Sequence, residues 1–134
     1  MSLKVELIIP GSCKPKQRPI TTFKSGRAIT FTPTGTRDYE KKARVIVLNA
    51  MNELKAEPIP YPKPVRIIIE FILKKKPKDL RPDLFNLAMA IGDLLQESKK
   101  YKALAFTDDS QIVEAHLYKG YGEYPMTKVI IEEI

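Results

Sequence analysis

The sequence predicts an α/β fold: a single domain with a mixed β-sheet and two helices packed on it. Three observations carry that prediction. Apolar residues recur at intervals of three and four in two windows, 39–54 and 84–95, which is helical spacing. Four runs rich in β-branched residues, at 3–9, 65–73, 112–119 and 127–134, have the composition of strands. The two kinds of segment interleave along the chain, as they do in layered α/β architectures.

The elements follow in order. LKVELII (3–9) is a first strand, stopped by Pro10 and Gly11. KPKQRP is extended, because each proline biases the residue before it away from the helical region. ITTF and AITFT flank a hairpin tip made of Lys24, Ser25, Gly26 and Arg27. Tyr39, Ala43, Ile46, Val47, Ala50 and Leu54 then form one apolar helical stripe. EPIPYPKP ends that helix, being too proline-rich for either regular element. VRIIIEFIL (65–73) reads as a strand buried centrally in the sheet. A second helix is expected over 83–97, with Leu84, Leu87, Ala88, Ile91, Leu94 and Leu95 on its apolar face and Asn86, Asp93 and Glu97 along the opposite stripe. IVEAHLYK (112–119) and TKVIIEEI (127–134) are expected to close the sheet as a strand pair. The 134 residues suit one domain, 1–134, large enough to bury a core, and no internal repeat divides them.

Composition narrows the function. With 43% hydrophobic and 29% charged residues the chain is an ordinary globular one. No apolar run approaches the ~20 residues of a membrane span, and Lys4 and Glu6 interrupt any signal-peptide layout at the start. Cys13 is the only cysteine, which excludes an internal disulfide and a thiolate zinc cluster. A lone thiol suits a reducing compartment, so the expected location is the cytoplasm. His116 is the only histidine and reads as a sheet residue, and Tyr118, Tyr121 and Tyr124 read as packing residues, with the lining of a nucleic-acid groove as the alternative.

The net charge of +7 points to a polyanionic partner, since a basic surface attracts nucleic acid by counterion release. Nine basic residues lie between positions 14 and 44 against Asp38 and Glu40. KKKPKDLR (74–81) adds five against Asp79, and KKYK (99–102) adds three. The alternative is a solubilising surface. Three separate runs, each in an expected loop, favour phosphate contact, and the candidate contacts are Lys14, Lys16, Arg18, Lys24, Arg27, Lys74, Lys75, Lys76, Arg81 and Lys119.

Against this basic background, FTDDSQI (106–112) places Asp108 beside Asp109 just before a strand, and Asp83 stands where a helix begins. From the residues alone two readings stay open. Carboxylates at element ends can be gathered by a fold to hold Mg²⁺. Equally, Asp83 can cap its helix and Asp108, Asp109 and Ser110 can form a turn.

RPDLFNLAMAIGDLL, followed after a loop by FTDDSQIVEAHLYK, resembles the RusA-like Holliday-junction resolvases. Their pattern is a basic residue, Asp-x-Asp-Asn-Leu, a helical Lys, then Asp-Asp-x-Gln-(Ile/Val) and a strand ending in Lys. KPKQRP and FTPTGTRDYE extend the similarity upstream, so that it covers most of the chain. The resemblance implies a homodimeric, Mg²⁺-dependent endodeoxyribonuclease, with Mn²⁺ able to substitute, that cuts symmetrically across four-way DNA junctions in recombination and repair. It implies that Asp83, Asp108 and Asp109 ligate the metal and that Asn86 completes the catalytic set by positioning a ligand or water. Asp93 matches a further acidic position of the same helix.

Two positions depart from that pattern. Phe85 stands where the resemblance places the second aspartate, and Met89 where it places the helical lysine. They lie at i and i+4, neighbours on a helix surface. An acidic–basic pair is thus exchanged for an apolar pair, which removes one ligand and one cation able to stabilise charge at a phosphate. Two further readings follow. The chain could bind junctions with weakened or no cleavage, or, if the motif match is coincidence, be a small basic protein that binds RNA or another protein.

Overall fold

The computed structural model describes residues 4–15, 20–24, 26–31, 34–74 and 80–134, with side chains omitted at 20–24, 29–31 and 34–36. Its elements run β1 (Lys4–Pro10), β2 (Ile20–Lys24), β3 (Arg27–Phe31), α1 (Thr34–Glu53), β4 (Val65–Lys74), α2 (Leu84–Leu95), β5 (Ile112–Gly122) and β6 (Met126–Glu133). A short 3₁₀ turn, Asp109–Gln111, precedes β5. β1, β4, β5 and β6 form the main sheet, and β2 pairs with β3 in a second, two-stranded one.

The strand order β1-β6-β4-β5 puts β4 in the interior, as its unbroken apolar run predicts. β4 runs parallel to β5 and antiparallel to β6. A parallel pair requires a crossover, and α2 lies within it. The expected pairing of the last two strands is therefore corrected: β5 and β6 do not pair with each other but flank β4 on opposite sides. Alternation tells which face of a strand is buried, not which strand lies beside it.

The alternation does set the layers. Val5, Leu7 and Ile9 of β1, Val65, Ile67, Ile69, Phe71 and Leu73 of β4, and Val129 and Ile131 of β6 all join one core. Ala43, Val47 and Met51 of α1 and Leu87, Ile91, Leu94 and Leu95 of α2 close that core from the same side. Each large aliphatic side chain buried there contributes roughly 1.5–3 kcal/mol. The opposite face carries an ion ladder across all four strands: Lys4 to Glu132 at 3.8 Å, Glu132 to Arg66 at 2.9 Å, Arg66 to Glu114, and Glu114 to His116 at 3.0 Å. Tyr118 and Tyr124 are exposed rather than packed in the core: Tyr118 lies on the edge strand β5, and Tyr124 in the connection between β5 and β6.

α2 ends at Leu95, where its apolar pattern ends and two residues before the expected limit at 97. Gln96 is already extended, and the carbonyl of Leu95 accepts from the backbone N–H of Leu104 and Ala105 as the chain folds back. That return carries the chain to Asp108 and Asp109.

Candidate active site and nucleic-acid interface

Asp83 is the N-cap of α2. Its Oδ1 accepts from the backbone N–H of Asn86 at 2.8 Å and its Oδ2 from the Asn86 side chain at 3.1 Å. The capping reading therefore holds for Asp83, and Asn86 turns back to fix that carboxylate. The loop in front is held as well: the Lys119 ammonium donates to the carbonyl oxygens of Leu80 and, at 3.1 Å, Pro82. Lys119 thus ties β5 to the approach of α2.

Asp108 caps the 3₁₀ turn in a reciprocal box with Gln111. Its carboxylate accepts from the Ser110 hydroxyl and the Ser110 N–H, and these two bonds, the hydroxyl's first, hold its pKa below the ordinary carboxylate value. Gln111 is the buried anchor of this turn. Its Oε1 accepts from the Asp108 N–H at 2.9 Å, and its Nε2 donates to the carbonyls of Ile59 and Lys63 at 3.1 and 3.0 Å. The turn reading therefore also holds, and a buried amide with three partners makes the turn rigid.

Asp109 points elsewhere. It lines a shallow cavity of about 500 Å³ together with Asp93, Phe85, Met89, Gly92 and Ile112. Gln96 joins the two carboxylate-bearing residues: its Nε2 donates to Asp93 Oδ1 at 3.0 Å and its Oε1 accepts from the Asp109 N–H at 2.9 Å. Asp93 therefore borders the same cavity as Phe85 and Met89. Gln96 is a site residue that the sequence reading missed; its position just past the apolar run is the only signal that could have marked it. Phe85 is 74% and Met89 56% exposed, so the exchanged apolar pair sits in the open on this rim instead of packing into the core.

The expected set of Asp83, Asp108 and Asp109 does not come together around one cavity. Among the described residues no group of three or more His, Cys, Asp or Glu side chains could hold a metal ion. Mg²⁺ needs only one or two carboxylates when waters and substrate phosphate oxygens complete its shell. Asp93 and Asp109 are two carboxylates that border one open cavity.

Of the expected phosphate contacts, Lys14, Lys74 and Arg81 line a second cavity of about 250 Å³, bounded by Pro82 and Tyr121. The Tyr121 hydroxyl is buried there with no hydrogen-bond partner among the described residues. Arg27 is exposed on the β2–β3 turn, where Gly26 takes the positive φ of 74° that the tight tip requires. Lys16, Arg18, Lys75 and Lys76, and the side chain of Lys24, fall outside the described residues.

The family model for endodeoxyribonuclease RusA matches residues 10–132. This chain belongs to the RusA family. The match spans both carboxylate-bearing turns, both helices and β2 to β5, so the motif resemblance is not a coincidence. The family is one of nucleases that act on branched junction DNA and are generally divalent-metal dependent. No curated protein matches the chain. Among the described residues no helix is long and apolar enough to cross a membrane.

Proposed function

We propose that this protein is a cytoplasmic endodeoxyribonuclease that resolves four-way DNA junctions in recombination and repair, with a slow chemical step. The observation that carries the reading is the cavity where Asp93 and Asp109 stand beside Phe85 and Met89. Asp109 and Asp93 would hold Mg²⁺, or Mn²⁺ in its place. Asp83 and Asp108, at the ends of the two elements that frame the cavity, complete the acidic set in this reading. Bound there, the ion supplies Lewis-acid neutralisation of charge developing on the phosphodiester. Gln96 orients Asp93 and Asp109, and Asn86 orients Asp83. Lys14, Lys74 and Arg81 bind backbone phosphate beside the Asp83 loop, with Lys16, Arg18, Lys24, Arg27, Lys75 and Lys76 extending the contact. Lys119 serves the site by holding the carbonyls of Leu80 and Pro82. With an apolar residue at positions 85 and 89, the chain lacks one carboxylate and one cation on the reacting rim, which slows the chemistry.

Two symmetric cuts call for two sites related by a two-fold axis, so the acting species is a homodimer. Light scattering that finds only a monomer, free and junction-bound, would remove this part of the reading.

The experiment is cleavage of a synthetic four-way junction with Mg²⁺, Mn²⁺ or a chelator. Slow, paired, metal-dependent cuts are expected. Tight binding with no cutting in either metal would favour the second reading, junction recognition without cleavage, which the exposed Phe85 and Met89 support. Absence of binding would overturn both.

A further inference from the structure

The basic stripe on α1 is left unused by the site described so far. Arg37, Lys41 and Arg44 follow one another at steps of four and three, so they project from one side of the helix. The connection after α2 meets them with Lys100 and Tyr101, and together these five residues line a cavity of about 490 Å³. Four of the five are cations. Asp38 and Glu40 are the only carboxylates on the lining, so positive charge exceeds negative two to one.

The inner part of this cavity is built around one ring. The Arg44 guanidinium lies 3.6 Å from the centroid of Tyr101, and the Lys100 ammonium 5.4 Å from the same centroid. Stacking leaves the edge of a guanidinium available for in-plane hydrogen bonds. Arg44 Nη1 is buried and has no hydrogen-bond partner among the described residues. A charged N–H buried without an acceptor costs stability, and two cations gathered around one ring repel each other. Both costs fall if an anion with several acceptor oxygens enters the cavity. A phosphate suits this demand, since it accepts from a guanidinium fork and from lysine ammonium groups at once.

We propose that this cavity is a phosphate-binding site, separate from the acidic cavity, that takes a backbone phosphate of one arm of the bound DNA. The inference rests on the branched-DNA reading above. It deepens that reading by assigning an arm contact to Arg37, Lys41, Arg44 and Lys100. The connection that carries Lys100 starts at Gln96 and ends at Asp109. An arm phosphate seated on it would therefore be registered to the strand at the carboxylates by one short stretch of chain.

The test uses a labelled four-way junction in chelator, with affinity read by fluorescence anisotropy over a range of salt. Lys41 and Lys100 are exposed, so Lys41→Gln with Lys100→Gln leaves the core alone. That double variant is expected to bind about tenfold more weakly, with a log–log salt slope shallower by about one, the share of the one phosphate lost. The control Lys42→Gln with Lys55→Gln, which removes equal charge outside the cavity, is expected to shift neither value as far. Arg44→Gln, with its folding checked by thermal unfolding, should weaken binding in the same direction. Inorganic pyrophosphate, followed by amide shifts at residues 100–101, separates the two sources of a phosphate group. If pyrophosphate binds but the double variant holds the junction as tightly as wild type, the site serves a free phosphate and the arm contact is overturned. If wild type binds the junction and the double variant and control behave alike, the inference fails while the branched-DNA reading stands. If wild type binds no junction at all, the branched-DNA reading fails first.

Discussion

Gln96 stands between Asp93 and Asp109, donating to the carboxylate of one at 3.0 Å and accepting from the backbone of the other at 2.9 Å. One amide thereby ties the Asp93 carboxylate to the backbone of the turn that carries Asp109. Neither partner is near the other in sequence, and the bridge exists only because α2 stops at Leu95 and frees the Gln96 side chain to reach the 3₁₀ turn.

Gln96→Leu removes both bonds while keeping the side chain's bulk. Junction cleavage in Mg²⁺ should fall at least tenfold, about 1.4 kcal/mol at the transition state. Junction affinity measured in chelator should stay within twofold, because the amide does not face the basic cavities. Equal losses in cleavage and binding would mean that Gln96 supports the fold and not the carboxylates.

Gln111 carries a different burden. It is 3% exposed and satisfies two carbonyls and one N–H, from segments 52 and 48 residues away and from its own turn. Gln111→Leu leaves all three without that partner. The expected cost is about 2–4 kcal/mol in denaturant unfolding. A loss below about 0.5 kcal/mol would show that the turn is held by other contacts.

Much of this was legible in the sequence, for identifiable reasons. The β-branched run of β4 and most of the apolar stripes of α1 and α2 are buried as their periods select. Leu54, expected on the α1 stripe, lies past the helix end and is exposed, and Met51 is buried instead. The partners of β5 and β6 were not legible, since pairing across a sheet depends on the path of the crossover. The carboxylates divided in the same way. Asp83 and Asp108 occupy capping positions recognisable from the sequence. The meeting of Asp93 with Asp109 depends on where a helix ends, which composition does not fix to within a turn. Phe85 and Met89 read correctly as an i, i+4 pair, but their exposure was invisible, because an apolar residue at such spacing ordinarily faces the core.

Cys13 is buried, and burial pushes its thiol up from 9.0 to about 11. At pH 8 the native thiol should react with a disulfide reagent far more slowly than the denatured chain. The sign of the alkaline response follows from the same shift. The folded pKa lies above the unfolded one, so the stabilisation is complete below about pH 9 and is lost as pH rises through about 11. Two units correspond to about 2–3 kcal/mol. The raised Tyr39 pKa, also driven first by burial, acts in the same direction. Cys13→Ala should flatten part of the decline in denaturant midpoint between pH 9 and 11; an identical pH profile would refute the assignment.

The exposed rim offers the sharpest test of why cleavage should be slow. Phe85→Asp would place a third carboxylate on the cavity of Asp93 and Asp109, and Met89→Lys a cation one turn further along α2. Both native side chains are more than half exposed, so neither change empties the core, and folding stability should move by no more than about 0.5 kcal/mol. Phe85→Asp alone crowds like charges and should lower metal-free stability slightly, while Met89→Lys alone adds a cation without its acidic neighbour. Together they restore a pair that attracts at i, i+4, and the junction-cleavage rate should rise at least tenfold, more than the two single changes combined. Asp109→Asn in that background should abolish the gain while leaving junction affinity equal or tighter, since a negative charge facing phosphate is removed. A wild-type enzyme that already cuts fast, and that the double change slows, would show that the apolar pair belongs to the working site, with Asp93→Asn the next variant to decide which carboxylate does the work.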